Sequence, residues 1–182
     1  MTERTAEPSP QTKARIAGIF YLLTIVTGAS ALFASGPMAS AVLLASTVCY
    51  VVVTVLFYGL FRPVSPYVSA LAAAFGLAGC ALSILGFFHL DSPHVNPLVF
   101  FGCYCLLIGY LILRSTFLPR ILGALMALGG LGWLTFISPS LSHHLTPYNM
   151  LPGVLGETAL TVWLLAVGIN VQRWKEQANA VA

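Results

Sequence analysis

The chain has 182 residues, 58% of them hydrophobic and only 7% charged, with a formal net charge of +3. An average soluble domain carries roughly 25% charged residues, so this composition excludes a water-soluble enzyme, and it lacks the clustered basic face of a nucleic-acid binder. About 20 apolar residues cross a bilayer core, so the length holds six crossings with no room for a separate soluble domain.

Residues 1–14, with Pro8, Pro10 and mostly small polar neighbours, read as a disordered cytoplasmic tail. Residues 15–174 then form one transmembrane domain. Its first span covers about 16–34 and is closed by Gly36-Pro37. The charged start and the triplet Ala29-Ser30-Ala31 imitate a secretory signal. Signal cores run roughly 7–15 residues, however, and this run continues through Phe33, so a retained helix is expected. The second and third spans, about 39–61 and 67–90, flank a tight turn with Arg62, Pro63 and Pro66. The fourth covers about 98–113 and the fifth about 118–136, with Pro119 in its first turn, where the missing N–H costs nothing. Residues 138–149 read as a loop, about 150–171 as the sixth span, and 175–182 as a second tail.

Arg4, Lys13 and Arg15 precede the first span, Arg62 follows the second, Arg114 and Arg120 bracket the break after the fourth, and Arg173 and Lys175 follow the sixth. Short loops rich in lysine and arginine stay on the cytoplasmic side. The expectation is therefore an all-α bundle of six transmembrane helices with both termini cytoplasmic. The aromatic residues agree: Trp133 and Tyr148 fall near one boundary and Tyr58, Tyr67, Tyr110 and Trp174 near the other. Ala72, Gly76 and Cys80 in the third span, and Gly123, Ala127 and Gly130 in the fifth, form stripes that let helix backbones approach. The second and third spans and the fourth and fifth make two similar hairpins, a faint parallel repeat. Cys49, Cys80, Cys103 and Cys105 lie inside apolar runs and read as small hydrophobes.

The outer face gathers His89, Asp91, His94, His143 and His144, and Glu157 lies about 9 Å along the sixth span from Met150. An ionisable group at that depth needs a partner, water or the bundle interior. Glu157 is expected to point inward, with Thr161 one turn away and a histidine from an outer loop within reach. Two readings stay open. In the first, these residues form a structural or ligand-binding polar cluster with no cofactor, in a non-catalytic component that binds a lipid, a small apolar molecule or a partner protein. Membrane lipids, and a membrane partner or a second copy, are its implied partners. In the second, His89, His143, His144 and Glu157 hold a single zinc, copper or iron ion in a metal-dependent membrane protein. No Gly-x-Ser-x-Gly, His-Glu-x-x-His or phosphate-cradling loop appears in the sequence, and no histidine pair has bis-haem spacing.

Three stretches carry a resemblance: Ala14–Gly28 (ARIAGIFYLLTIVTG), Gly109–Gly123 (GYLILRSTFLPRILG) and Gly156–Gly168 (GETALTVWLLAVG). Together they resemble the bacterial membrane family catalogued as domain of unknown function forty-three eighty-six, over nearly the whole chain. The resemblance implies a small polytopic protein of the bacterial cytoplasmic membrane and brings no established activity with it. It places Arg114, Ser115, Pro119, Arg120, Gly123, Glu157 and Trp163 at motif positions. Relatives carry an arginine early in the third span; this chain reads Ala74-Phe75-Gly76 there, so a role for that charge does not carry over. The turn from Arg114 to Arg120 is expected to be a structural hinge. Arg114 would snorkel to head groups, Ser115 would cap and Pro119 would start the next helix.

Overall fold

The computed structural model describes residues 9–180 apart from residue 32, residue 89 and residues 91–94. The described residues are helical with no strand: α1 Pro10–Ser30, α2 Pro37–Phe61, α3 Pro66–Phe87, α4 Pro97–Arg114, α5 Arg120–Leu134, α6 Pro139–Leu145, α7 Leu151–Ala166 and α8 Val171–Asn179. A proline begins α1, α2, α3, α4 and α6, where its missing N–H is an orphan anyway. Ser9, Ser65, Asn96 and Ser138 cap α1, α3, α4 and α6 by accepting backbone N–H groups.

Helices α1 to α5 each pack on the next in sequence, and α7 packs on both α5 and α1, closing a ring of six. Large side chains fill the ring: Tyr21, Phe57, Phe61, Tyr104, Ile108 and Leu164 are fully buried. The outside is the reverse of a soluble protein's surface. Ile19, Val48, Val55, Ile121, Leu128 and Val162 are all at least half exposed. Burying one such side chain yields roughly 1.5–3 kcal/mol, so a surface paved with them belongs against lipid. Among the described residues four helical segments are long and apolar enough to cross a membrane: Pro37–Phe61, Pro66–Phe87, Pro97–Arg114 and Arg120–Ile137. A fifth is added if Tyr148–Ala166 and Val171–Asn179, bent by 103°, count as one. In α1 the apolar stretch is interrupted at its start by Lys13 and Arg15.

Glycines make the closest helix contacts. The Cβ absent from Gly123 would lie 2.7 Å from the Gly109 carbonyl oxygen, and that absent from Gly130 2.7 Å from the Gly102 carbonyl oxygen. Both pairs join α4 to α5, about two turns apart on each helix. Gly129 meets the Cα of Gly153 and Gly156 meets the backbone of Leu125, so α5 seats α7 in the same way. On α3, Gly76 admits the Thr54 and Tyr104 side chains.

Several expected boundaries are corrected. The tail of residues 1–14 does not run to residue 14, because α1 begins at Pro10; Ser9-Pro10 is a cap followed by a first-turn proline. Gly36-Pro37 opens α2 as well as ending the preceding segment, with Gly36 at φ 58°. The loop 138–149 contains α6 and a 3₁₀ turn at Tyr148–Met150, started by the Ser138-Pro139 cap. The sixth span does not reach residue 171. Helix α7 ends at Ala166 and Gly168 takes φ 77°, a left-handed turn that ends a helix. The expected second tail, 175–182, is instead largely the amphipathic helix α8.

Helix α8 closes one end of the ring. Trp174 Nε1 donates to the Leu60 carbonyl at 2.8 Å, and Gln177 Nε2 to the Arg114 carbonyl at 3.4 Å. The Thr116 N–H donates to Gln177 Oε1 at 3.1 Å. Gln11 spans the α7–α8 break, with Nε2 donating to the Val167 carbonyl at 3.0 Å and Oε1 accepting from the Ile169 N–H at 2.9 Å. Ser115 is buried and its hydroxyl donates to the Ile112 carbonyl at 2.8 Å, while Pro119 stands at the N-cap of α5. The Arg114–Arg120 turn is thus a packed corner beneath α8.

Candidate functional site

The ring interior is polar at one level. Glu157 projects from α7, and its Oε1 accepts from Trp133 Nε1 of α5 at 3.1 Å and from Cys105 Sγ of α4 at 3.8 Å. The Tyr21 hydroxyl of α1 faces the same carboxylate. Tyr50 of α2 lies against Tyr21. The rings form a chain of edge contacts, Tyr21–Tyr50 with centroids 5.7 Å apart and Tyr50–Tyr104 at 5.6 Å. Five helices, α1, α2, α4, α5 and α7, therefore send a polar group to one place.

The supply of hydrogen bonds there is incomplete. The hydroxyls of Tyr21, Tyr50, Tyr104 and Thr161 are buried, and none has a hydrogen-bond partner among the described residues. An unsatisfied buried hydroxyl costs roughly 1–3 kcal/mol. The Trp133 indole is aimed by a glycine: a Cβ on Gly153 would lie 2.5 Å from Trp133 Nε1 and Cε2.

Of the residues singled out in the sequence, Glu157 and Thr161 lie on the inner side of α7. Among the described residues the partners of Glu157 are an indole and a thiol, because α5 brings Trp133 across the ring at the depth of the carboxylate. His143 and His144 are exposed on α6, rings 5.9 Å apart, and neither bonds to Glu157. His89, Asp91 and His94 lie outside the described residues. Among the described residues no three histidine, cysteine, aspartate or glutamate side chains come together as a metal site. Sequence reasoning passed over Trp133, Cys105 and the three tyrosines. The signal was depth: Tyr21, Tyr50 and Tyr104 sit mid-helix, far from the interfaces where tyrosine normally anchors.

Several helices long and apolar enough to span a bilayer, with apolar outer surfaces and one polar level inside, are the features of a membrane protein. Residues 90–168 match the family described as "Domain of unknown function (DUF4386)", the family that the motifs at Gly109–Gly123 and Gly156–Gly168 resemble. An uncharacterized protein of Archaeoglobus fulgidus is 29% identical over 127 residues, covering 65% of this chain and 76% of the relative. No solved structure matches the chain.

Proposed function

We propose that this chain is a non-catalytic, six-span component of the cell membrane, both termini cytoplasmic, that holds a small and mostly apolar ligand by a polar group at Glu157. The observation carrying this reading is an inward carboxylate that accepts from the Trp133 indole and the Cys105 thiol, in an interior where the Tyr21, Tyr50, Tyr104 and Thr161 hydroxyls are buried without a partner among the described residues. A ligand bearing a donor or a positive charge would satisfy Glu157, and one bearing acceptors would satisfy the tyrosines.

Extracted in mild detergent, the wild-type protein should carry one small non-phospholipid adduct per chain in native mass spectrometry, and Glu157→Gln should lose it. A bare wild-type mass would count against ligand binding. The orientation has its own test. With the four native cysteines replaced, a single cysteine at position 62 or 116 should react with a membrane-impermeant maleimide only after the membrane is opened. Labelling from outside intact cells would reverse the topology.

A further inference from the structure

A second feature, at the opposite end from α6, is a groove of about 670 Å³ between the α4–α5 corner and α8, lined by Thr116, Leu118, Arg120, Arg173, Glu176 and Gln177 among others. Charges of both signs line it without pairing. Arg120 makes no hydrogen bond or ion pair among the described residues. Arg173 Nη1 reaches only the Thr116 carbonyl at 3.4 Å, and Glu176 accepts from Gln172 Nε2 of its own helix at 3.2 Å. Guanidinium groups and a carboxylate facing one groove can pair through charge-assisted hydrogen bonds. Here they stay apart.

The groove's place in the fold says what would lie there. Helix α8 leaves α7 at 103°, so it runs along the membrane surface when α7 crosses it. It turns Val171, Trp174 and Ala178 toward the bundle and leaves Gln172, Arg173, Lys175 and Glu176 exposed. That is the pattern of a helix in the headgroup layer. Resting on the membrane-spanning reading, we infer that this groove binds a phospholipid headgroup carrying both a phosphate and a primary amine, as in phosphatidylethanolamine. The phosphate sits between Arg120 and Arg173, the ammonium meets Glu176, and Leu118 and Ala180 take the first atoms of the glycerol and acyl region. Guanidinium groups suit phosphate by their planar forked donors.

The test is lipid retention by the full chain in native mass spectrometry after delipidation and titration with phosphatidylethanolamine, phosphatidylcholine or phosphatidylglycerol of matched acyl chains. Wild-type protein should retain phosphatidylethanolamine over the other two. Glu176→Gln should erase that preference while leaving some affinity for all three. Arg120→Gln or Arg173→Gln should weaken retention of every phospholipid by about tenfold, with Arg→Lys recovering part of it; size-exclusion elution at the wild-type volume confirms the fold of each variant. Equal retention of the three lipids by the wild type, or the same preference in Glu176→Gln, overturns the assignment. So does displacement of bound lipid by millimolar free phosphoethanolamine, which would make the occupant a soluble phosphate. If the cysteine labelling reversed the topology while the lipid preference held, the orientation alone would fail.

Discussion

Replacing Gly123 by alanine should destabilise the bundle by about 1–3 kcal/mol, and replacing it by leucine should prevent stable folding. The added Cβ would meet the Gly109 carbonyl oxygen at 2.7 Å and the Leu113 N–H nitrogen at 2.9 Å. Both are helix backbone. A side chain could rotate aside, but a carbonyl fixed in a helix ladder yields only if the whole α4–α5 crossing widens. Widening there also opens the Gly102–Gly130 contact further along the same pair. In lipid such a loss is not repaired by hydrophobic collapse, because helix association rests on close packing. Gly59→Ala is the control. Nothing lies within 4 Å of the Cβ it would add, so a gain of about 0.5–1 kcal/mol in helix stability is expected. Thermal or denaturant unfolding in detergent reads both variants. Equal behaviour of Gly123→Ala and Gly59→Ala would mean that the α4–α5 contact carries no stability.

Much of this architecture was legible in the sequence for a plain reason. Long apolar runs and the prolines between them locate helices whatever their tertiary partners, and α2, α3 and α4 start and stop within a few residues of where composition places them. The stripe Gly123, Ala127, Gly130 was also readable, since small residues at helical spacing have a mechanical meaning. The α7–α8 break was not. Gly168 lies inside an apolar run, and what ends the helix there is a left-handed residue with Gln11, from the far end of the chain, bonding the freed backbone. A contact across so many residues leaves no local trace. The same reason explains the polar cluster. Glu157 announces itself because a charge in an apolar run is expensive anywhere, whereas Cys105 and Tyr104 look like filler until the ring brings them to the carboxylate. Lying in connections on the same face does not by itself place two side chains in contact, and His143 and His144 stay on the surface.

Glu157 separates a structural residue from a functional one through the order of three variants. Burying a carboxylate in a membrane helix costs at least ~2.5 kcal/mol on insertion scales. Against that stand its bonds to Trp133 and Cys105; hydrogen bonds between membrane helices average about 0.6 kcal/mol and reach about 1.7. These bonds do not recover the burial cost, so the native site is held at a loss to stability. Glu157→Gln keeps an acceptor for the indole and removes the charge, and it should be as stable as the wild type or more so. Glu157→Leu strands the Trp133 N–H and the Cys105 thiol together, and at roughly 1–3 kcal/mol per stranded group it should fall well below both. Gly153→Ala, which pushes a methyl into the indole, should behave like Trp133→Phe, because each removes the same bond by a different route. A double-mutant cycle between Trp133→Phe and Glu157→Gln should then give only a small coupling, since the glutamine still accepts. If instead Glu157→Gln proves as destabilising as Glu157→Leu, the charge itself holds the helices together and the carboxylate is structural. A glutamine variant that is stable, correctly inserted and empty of ligand is the outcome that a binding site requires, because it shows the chain carrying an unfavourable charge that folding does not need.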